Sequence, residues 1–151
     1  MPSDSWKLAP GLNNVGSFQV SGRPYCSGSC LAPVSGATSF VLRFPAVTKW
    51  FQIEPKQTMK NKEMRVAFSE NGLHGKGGAN FRMHRSASIR GPIDMKISEL
   101  WFMSEGNATY TFDVLAGLTN LPVKRLETDD RTIEGTVVAS GPNWSGSLGV
   151  G

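Results

Sequence analysis

Apolar and polar residues alternate in short segments between residues 40 and 120. The pattern is clearest in TSFVLRF, VTKWFQI, EMRVAF, NFRMHR, IDMKISELWFM and TYTFDVLAGLT. Pro, Gly, Asn and Ser separate these segments, and none of them shows the 3.6-residue apolar period of an amphipathic helix. Because successive side chains of a strand point to opposite faces, the pattern predicts one compact all-β domain, either a sandwich or a barrel.

Apolar residues that share a parity mark the face that each predicted strand turns toward the core. In the first four strands they are Phe40, Leu42 and Phe44; Val47, Phe51 and Ile53; Met64, Val66 and Phe68; and Phe81 and Met83. The longest regular strand carries Tyr110, Phe112, Val114, Ala116 and Leu118. We expect that strand to lie at the centre of a sheet.

The parity of the apolar residues changes near Ser98 and Glu99. Odd-numbered positions in residues 93–97 give way to even-numbered ones at Leu100 and Phe102. Either a β-bulge or a strand that crosses from one sheet environment to another would produce this change.

The segments outside the alternating region complete the predicted organisation. Residues 1–16 have few apolar groups and predict an N-terminal arm that orders only when it docks. Ser17 to Val20 is a candidate first strand, residues 21–37 read as a loop dense in turn residues, and Thr132 to Ala139 is a candidate last strand. The segment SENGLHGKGG predicts a long exposed loop.

Residues 17–151 therefore hold about eight strands, the number expected of two packed four-stranded sheets in a single jelly roll. A seven-stranded immunoglobulin-like sandwich is the alternative, but no Cys…Trp…Cys spacing that would cross its sheets is present. We favour the jelly roll, with its strands antiparallel.

Charge is unevenly distributed along the chain, whose net charge is +4. Residues 43–96 carry eleven Lys and Arg against four Asp and Glu, a net charge of +7, whereas residues 97–151 carry three against seven, a net charge of −4. These opposite charges can meet within one subunit or between copies of it. We expect no direct nucleic-acid binding, because Arg82, Arg85 and Arg90 are not interleaved with aromatic platforms.

The ordinary signals of export and of membrane insertion are not found. No apolar run approaches the roughly 20 residues that span a bilayer, and the first residues lack the pattern of a signal peptide. Cys26 and Cys30 are too few and too close to define a secreted disulfide framework, which favours a reducing compartment.

No motif carries a clear chemistry. Cys26, Cys30, His74 and His84 could supply four zinc ligands, but free thiols, or a disulfide between the two cysteines, fit their spacing better. The segment GLHGKGGAN lacks the Gly-x4-Gly-Lys-[Ser/Thr] order of a phosphate loop, and adjacent acidic residues near position 130 would point to opposite faces of a strand. We therefore expect no catalytic residues, no metal and no cofactor.

Trp50, Trp101 and Trp144 allow two interpretations. Exposed on a sandwich face, their rings would stack on sugars, as in a lectin-like carbohydrate-binding module. If they are half-buried, Trp50 and Trp101 would instead cover a sheet edge or a subunit contact. We favour this second interpretation because indole suits half-buried sites. We expect Trp144 to pin the C-terminal segment to a neighbour.

A family resemblance covers nearly the whole chain, from about Ser17 to Gly151. The strings FPAVTKWFQI, MRVAFSENG, MKISELWFMS and FDVLAGLTNLP, with a closing Gly/Ser-rich stretch, resemble the single jelly-roll penton proteins of large icosahedral double-stranded DNA viruses. The resemblance implies a homopentamer that closes five-fold vertices and contacts the major and minor capsid proteins, in a virion assembled in the host cytoplasm. The segment HGKGGANFRMHR and the ending WSGSLGVG depart from the family pattern, which leaves open a related minor capsid protein.

The uneven charge then predicts which residues lie between subunits. In a five-fold ring each copy must present one surface to a different surface of the next copy. The candidates are Arg82 and Arg85 in the basic region, Glu127, Asp129 and Asp130 in the acidic region, and Trp144. A lectin-like module is the competing interpretation.

Overall fold

The computed structural model describes residues 22–56, 63–74, 80–84 and 91–123, together with the backbone at 132–133 and 136–137. The strands are β1 Arg23–Ala32, β2 Phe40–Arg43, β3 Thr48–Pro55, β4 Glu63–Ala67, β5 Asn80–His84, β6 Ile93–Asp94, β7 Glu99–Ser104, β8 Tyr110–Leu118, β9 Thr132–Ile133 and β10 Thr136–Val137. One short helix, α1, spans Glu70–Leu73.

Strands β1 to β8 form two four-stranded antiparallel sheets. Sheet A has the order β1-β8-β3-β6 and sheet B the order β2-β7-β4-β5. The first strand pairs with the eighth, the second with the seventh, the third with the sixth and the fourth with the fifth. A ribbon of antiparallel pairs rolled into two sheets is the jelly roll, so the predicted fold class is confirmed. Strand β8 lies between β1 and β3, at the centre of sheet A as expected.

The core fills the space between the two sheets with aromatic rings. Phe51 and Phe112 from sheet A and Phe102 from sheet B are fully buried. The ring centroids of Phe102 and Phe112 lie 4.4 Å apart, and Phe40 packs against both of them. These contacts join the sheets, and they come from the residues whose alternation predicted inward faces.

Strand β1 corrects the prediction of a loop over residues 21–37. It pairs with β8 from Arg23 to Ala32, although it contains Pro24 and several turn-forming residues. β1 lies at the edge of sheet A, where a proline can be accommodated because one side of the strand needs no ladder hydrogen bonds. Between Ser27 and Cys30 the strand carries one residue more than β8, and this bulge breaks the alternation that would have revealed the strand.

The change of parity near Ser98 marks a crossing between sheets. Strand β6 ends at Asp94 in sheet A and β7 begins at Glu99 in sheet B. Thr48 holds the connection: its Oγ1 donates to the carbonyl of Met95 at 2.8 Å and accepts from the N–H of Ile97 at 3.1 Å. Of the two explanations offered by the sequence, the crossing strand is therefore correct.

Helix α1 corrects part of the predicted loop SENGLHGKGG. The Ser69 side chain caps the helix by accepting a hydrogen bond from the N–H of Gly72 at 3.1 Å, and Leu73 is fully buried. His74, which follows the helix, is exposed as predicted. The capping serine and the buried leucine stabilise this short helix.

The predicted last strand is wrong as a single element. Ile133 pairs with Thr136 and Thr132 with Val137, so the segment contains two antiparallel strands instead of one. The predicted arm of residues 1–16 and the candidate strand from Ser17 to Val20 lie outside the described residues.

Candidate functional site

Charged side chains of sheet B form an ionic network across three elements. Arg65 on β4 lies directly opposite Arg82 on β5, and Glu105 follows the end of β7. Glu105 Oε1 accepts from Arg65 Nε at 2.9 Å and lies 3.2 Å from Arg82 Nη2; Arg65 Nη2 also contacts it. Arg82 Nη1 is 3.5 Å from Glu63 Oε2. The carboxylates offset the repulsion expected of two arginines directly opposite each other.

The same network fixes helix α1 to the sheet. Arg65 Nη1 donates to the carbonyl of Leu73 at 3.0 Å, which satisfies one of the acceptors left open at the end of the helix. The Leu73 side chain is buried together with Ala67 and Met103, and Trp101 packs against this small cluster. Helix α1 therefore covers one apolar patch of sheet B.

Trp101 is held in place by polar contacts at its edge. Its Nε1–H donates to Glu99 Oε1 at 2.9 Å, and Glu99 Oε2 lies 3.4 Å from Arg43 Nε. The ring is half-buried on the apolar cluster beneath α1. Trp101 is therefore half-buried as predicted, but it lies on an inner strand of sheet B and not at a sheet edge.

The opposite charges of the two chain regions meet within a single subunit in the described residues. Ion pairs among these residues join bases from residues 43–96 to acids from residues 97–151. The pairs are Arg43 with Glu99, Lys56 with Asp113, Arg65 with Glu105, and Arg82 with Glu105. Part of the charge asymmetry is therefore used to connect strands of one copy.

A second polar cluster lies at the bulge of β1 in sheet A. Asp113 Oδ1 accepts the backbone N–H of Ser29 at 2.7 Å and the Nζ of Lys56 at 3.0 Å. The Ser29 N–H, and then Lys56, hold the pKa of the Asp113 carboxyl below its ordinary value. Ser29 adopts a φ of 58°, a left-handed conformation that these contacts help to stabilise.

The same cluster does not activate the Ser29 hydroxyl. Lys56 Nζ donates to Ser29 Oγ at 3.0 Å, so lysine is the donor and the hydroxyl is the acceptor. A nucleophilic serine needs a neighbouring base that accepts its proton. We assign the cluster a structural role, that of fixing the bulge against β8.

The two cysteines lie on opposite sides of β1 and are both free thiols. Cys26 is exposed, whereas Cys30 is buried and its Sγ lies 3.3 Å from the Ser27 Oγ. The local disulfide that their spacing allows is therefore not formed. Within the described ranges, no three His, Cys, Asp or Glu side chains come close enough together to hold a metal ion.

The two lateral sides of the sandwich differ. On the side of β5 and β6 a small cleft opens between the sheets, with Ile53, Phe81, Met83 and Ile93 in its walls. Its volume is about 20 Å³, enough for one water-sized molecule. On the side of β1 and β2, Tyr25 and Phe44 close the gap, with ring centroids 5.2 Å apart in an edge-to-face arrangement.

Comparison with known proteins identifies no relative. No family model matches the chain, and neither a curated protein nor a solved structure matches it. Among the described residues, no helix has the length and apolar character needed to cross a membrane.

The structure describes one of the interface candidates that the sequence predicts. Arg82 lies on β5 with its side chain 55% exposed, although it pairs with Glu63 and Glu105 of its own subunit. The other candidates lie outside the described residues: Arg85, Glu127, Asp129, Asp130 and Trp144.

The ion pair between Arg65 and Glu105 was not predicted from the sequence. Arg65 has the parity opposite to its apolar neighbours Met64 and Val66, which correctly indicates an outward position. Its partner Glu105 lies 40 residues further along the chain. Only strand register brings the two together, and no local pattern encodes that register.

Proposed function

We propose that the chain is a structural capsid protein, the penton subunit that closes the five-fold vertices of an icosahedral virus particle as a homopentamer. The observation that carries the proposal is the order of strand pairing, first with eighth through to fourth with fifth. Two-sheet jelly rolls of this kind build viral capsids, and they also occur in lectins and cupins. Its partners would be further copies of itself and the major and minor capsid proteins.

The interior favours a building block over a cupin-like enzyme. A cupin site needs room for a metal and a substrate between the sheets, yet Phe102 and Phe112 meet there at a centroid distance of 4.4 Å. Phe51, Met64 and Leu100 fill the neighbouring space and are fully buried. A packed interior directs function to the outer surfaces and the edges.

The two lateral sides of the sandwich differ, and this difference suits the assembly of subunits into a ring. A ring needs heterologous contacts, in which one surface of each subunit meets a different surface of the next. The open cleft beside Phe81 and Ile93 and the closed side at Tyr25 and Phe44 provide two such surfaces. This geometry supports a ring, and the number five comes from the family resemblance.

The strings that resemble penton proteins lie mainly on strands of the jelly roll. FPAVTKWFQI includes most of β3, and MRVAFSENG covers most of β4 and enters α1. MKISELWFMS includes all of β7, and FDVLAGLTNLP includes most of β8. They therefore come from both sheets and include the central strand β8. The resemblance extends across the framework of the domain and is not confined to one hairpin.

Native mass spectrometry of the purified protein tests this proposal, with negative-stain microscopy of the same sample. We expect a species of five times the 16.3 kDa chain mass that appears as a closed ring. Because capsid neighbours stabilise such rings, the same measurement is repeated with the major capsid protein added. A chain that stays monomeric under both conditions would contradict the penton assignment.

A further inference from the structure

Helix α1 contains Asn71-Gly72, the one place in the chain where glycine follows asparagine. In such a dipeptide the backbone nitrogen of the glycine can attack the side-chain carbonyl of the asparagine, because glycine has no Cβ to hinder the approach. Asn71 is exposed, and its side chain makes no hydrogen bond among the described residues. The reacting amide is therefore accessible, and the surroundings of Gly72 decide whether the attack takes place.

The peptide groups of Gly72 are fixed on both sides by side chains outside the dipeptide. Its N–H donates to Ser69 Oγ at 3.1 Å, and its carbonyl accepts from Asn80 Nδ2 at 2.8 Å. Gly72 is buried, and so is the Leu73 that follows it. The Gly72 nitrogen must lose its bond to Ser69 and turn toward the Asn71 side chain, so the reaction requires α1 to open.

The opening of α1 is a local event in the domain. The helix has four residues, too few to be stable alone, and its other contacts hold it to sheet B. These contacts are the packing of Leu73 on Ala67 and Met103, and the hydrogen bond from Arg65 Nη1 to the Leu73 carbonyl at 3.0 Å. Short segments with few buried groups open more often than the whole domain unfolds. The Ser69 cap is therefore one of the contacts that set how often Gly72 is released.

We propose that Asn71 is a deamidation site whose rate is controlled by the Ser69 cap. In the opened segment the Gly72 nitrogen forms a bond to the side-chain carbonyl carbon of Asn71, and the amide group leaves with the Gly72 proton as ammonia. Water then opens the succinimide ring at one of its two carbonyl carbons, which gives aspartate or isoaspartate. Isoaspartate adds a methylene group to the backbone, so the capped turn does not re-form and the apolar patch beneath α1 is uncovered. The proposal concerns one chain and does not rest on the penton assignment.

The reaction is followed by mass spectrometry of the tryptic peptide VAFSENGLHGK, residues 66–76, after incubation of the protein in mildly alkaline buffer. The same peptide made synthetically gives the rate without protection. We expect the folded protein to react at least about tenfold more slowly than the peptide, because only the opened fraction reacts. Hydrogen exchange of the Gly72 amide measures that fraction independently. The two slowdowns should agree within about threefold, since the same nitrogen must be released.

Three variants separate the cap from the stability of the whole domain. Ser69→Ala removes the cap and should raise the rate about fivefold, whereas Ser69→Thr keeps a hydroxyl and should stay within about twofold of the unaltered protein. Thr48→Val removes hydrogen bonds of sheet A, while α1 packs on sheet B. It should also stay within about twofold, because global unfolding is not the reactive route. Asn71→Asp introduces the charge of the product and leaves the backbone unchanged.

Several results would overturn the proposal. These are reaction of the folded protein at the rate of the peptide, no acceleration in Ser69→Ala, or equal acceleration in Ser69→Ala and Thr48→Val. If Ser69→Ala does not fold, the comparison of the peptide with the unaltered protein decides. The amides of Leu73 and His74 bond to backbone carbonyls at 3.1 and 3.2 Å. They should exchange faster in protein that contains isoaspartate and stay protected in Asn71→Asp, and equal exchange in the two would contradict the release of α1.

Discussion

At the scale of single residues, Asp113 shows how one carboxylate can fix an irregular strand. The extra residue in β1 directs the Ser29 N–H away from the ladder, and Asp113 Oδ1 accepts it at 2.7 Å. Lys56 approaches the same oxygen at 3.0 Å from the end of β3. A single side chain of the central strand thus links three neighbouring strands.

The lowered pKa of Asp113 predicts how stability changes with acidity. Its folded pKa lies below the unfolded value of about 3.9, so its contacts stabilise the fold above that pH and the contribution is lost as the pH falls through the folded pKa. Asp113→Asn should melt at a lower temperature at pH 6 and show a smaller further loss between pH 4 and pH 2. Thermal melting across that range measures both effects.

Lys56→Met provides the matched control for this titration. The Ser29 N–H is the larger cause of the lowered pKa, so the variant should retain most of the lowering in a carboxyl NMR titration. An Asp113 pKa at or above the ordinary value of about 3.9 in the unaltered protein would contradict the account.

At the scale of elements, the connection between β6 and β7 depends on Thr48. Its hydroxyl is fully buried and bonds to backbone groups of both Met95 and Ile97. No other described side chain satisfies these two groups at the point where the chain crosses from sheet A to sheet B. The Thr48 side chain therefore adds to the backbone hydrogen bonds that hold the crossing, from the Thr48 N–H to Ile97 and from the Met95 N–H to Lys49.

Thr48→Val should destabilise the domain by about 1–3 kcal/mol, because it leaves the buried N–H of Ile97 and the part-buried carbonyl of Met95 without their side-chain partner. Thr111→Val is the matched control, since Thr111 is half-buried on β8 and makes no side-chain hydrogen bond among the described residues. We expect that change to stay within about 0.5 kcal/mol. Chemical denaturation measures both, and equal effects would contradict the role of Thr48.

The elements differ in how well their sequence predicts them. Strands with one buried face could be placed in advance, such as β8, which alternates between buried and half-buried residues from Tyr110 to Ala116. Strand β1 could not, because an edge position tolerates Pro24 and the bulge near Ser29 shifts the parity. Helix α1 has four residues, too few for any apolar period to show.

The surface sites were harder to predict than the strands. The position of Trp50 opposite Asp94 depends on pairing between β3 and β6, which lie more than 35 residues apart in the chain. The contact between Arg65 and Glu105 likewise depends on register across sheet B. Charge composition indicated that opposite charges would meet, but it left open whether they meet within one copy or between two.

At the scale of the whole molecule, the domain is a rolled ribbon with a packed interior and two unlike sides. The described ion pairs connect strands of one copy, so they stiffen the subunit. In the proposed ring, the predicted interface residues remain Arg82, Arg85, Glu127, Asp129, Asp130 and Trp144. Because salt screens exposed charges beyond about 8 Å, the stability of the proposed ring should depend on ionic strength only if those charged residues lie close to the interface.

The most direct test of the penton assignment is a cryo-electron microscopy reconstruction of virus particles that contain this protein. The account predicts five copies of the jelly roll around each five-fold axis, with unlike sides of neighbouring copies in contact. Density for the chain on two-fold or three-fold faces, or its absence from the vertices, would contradict that assignment.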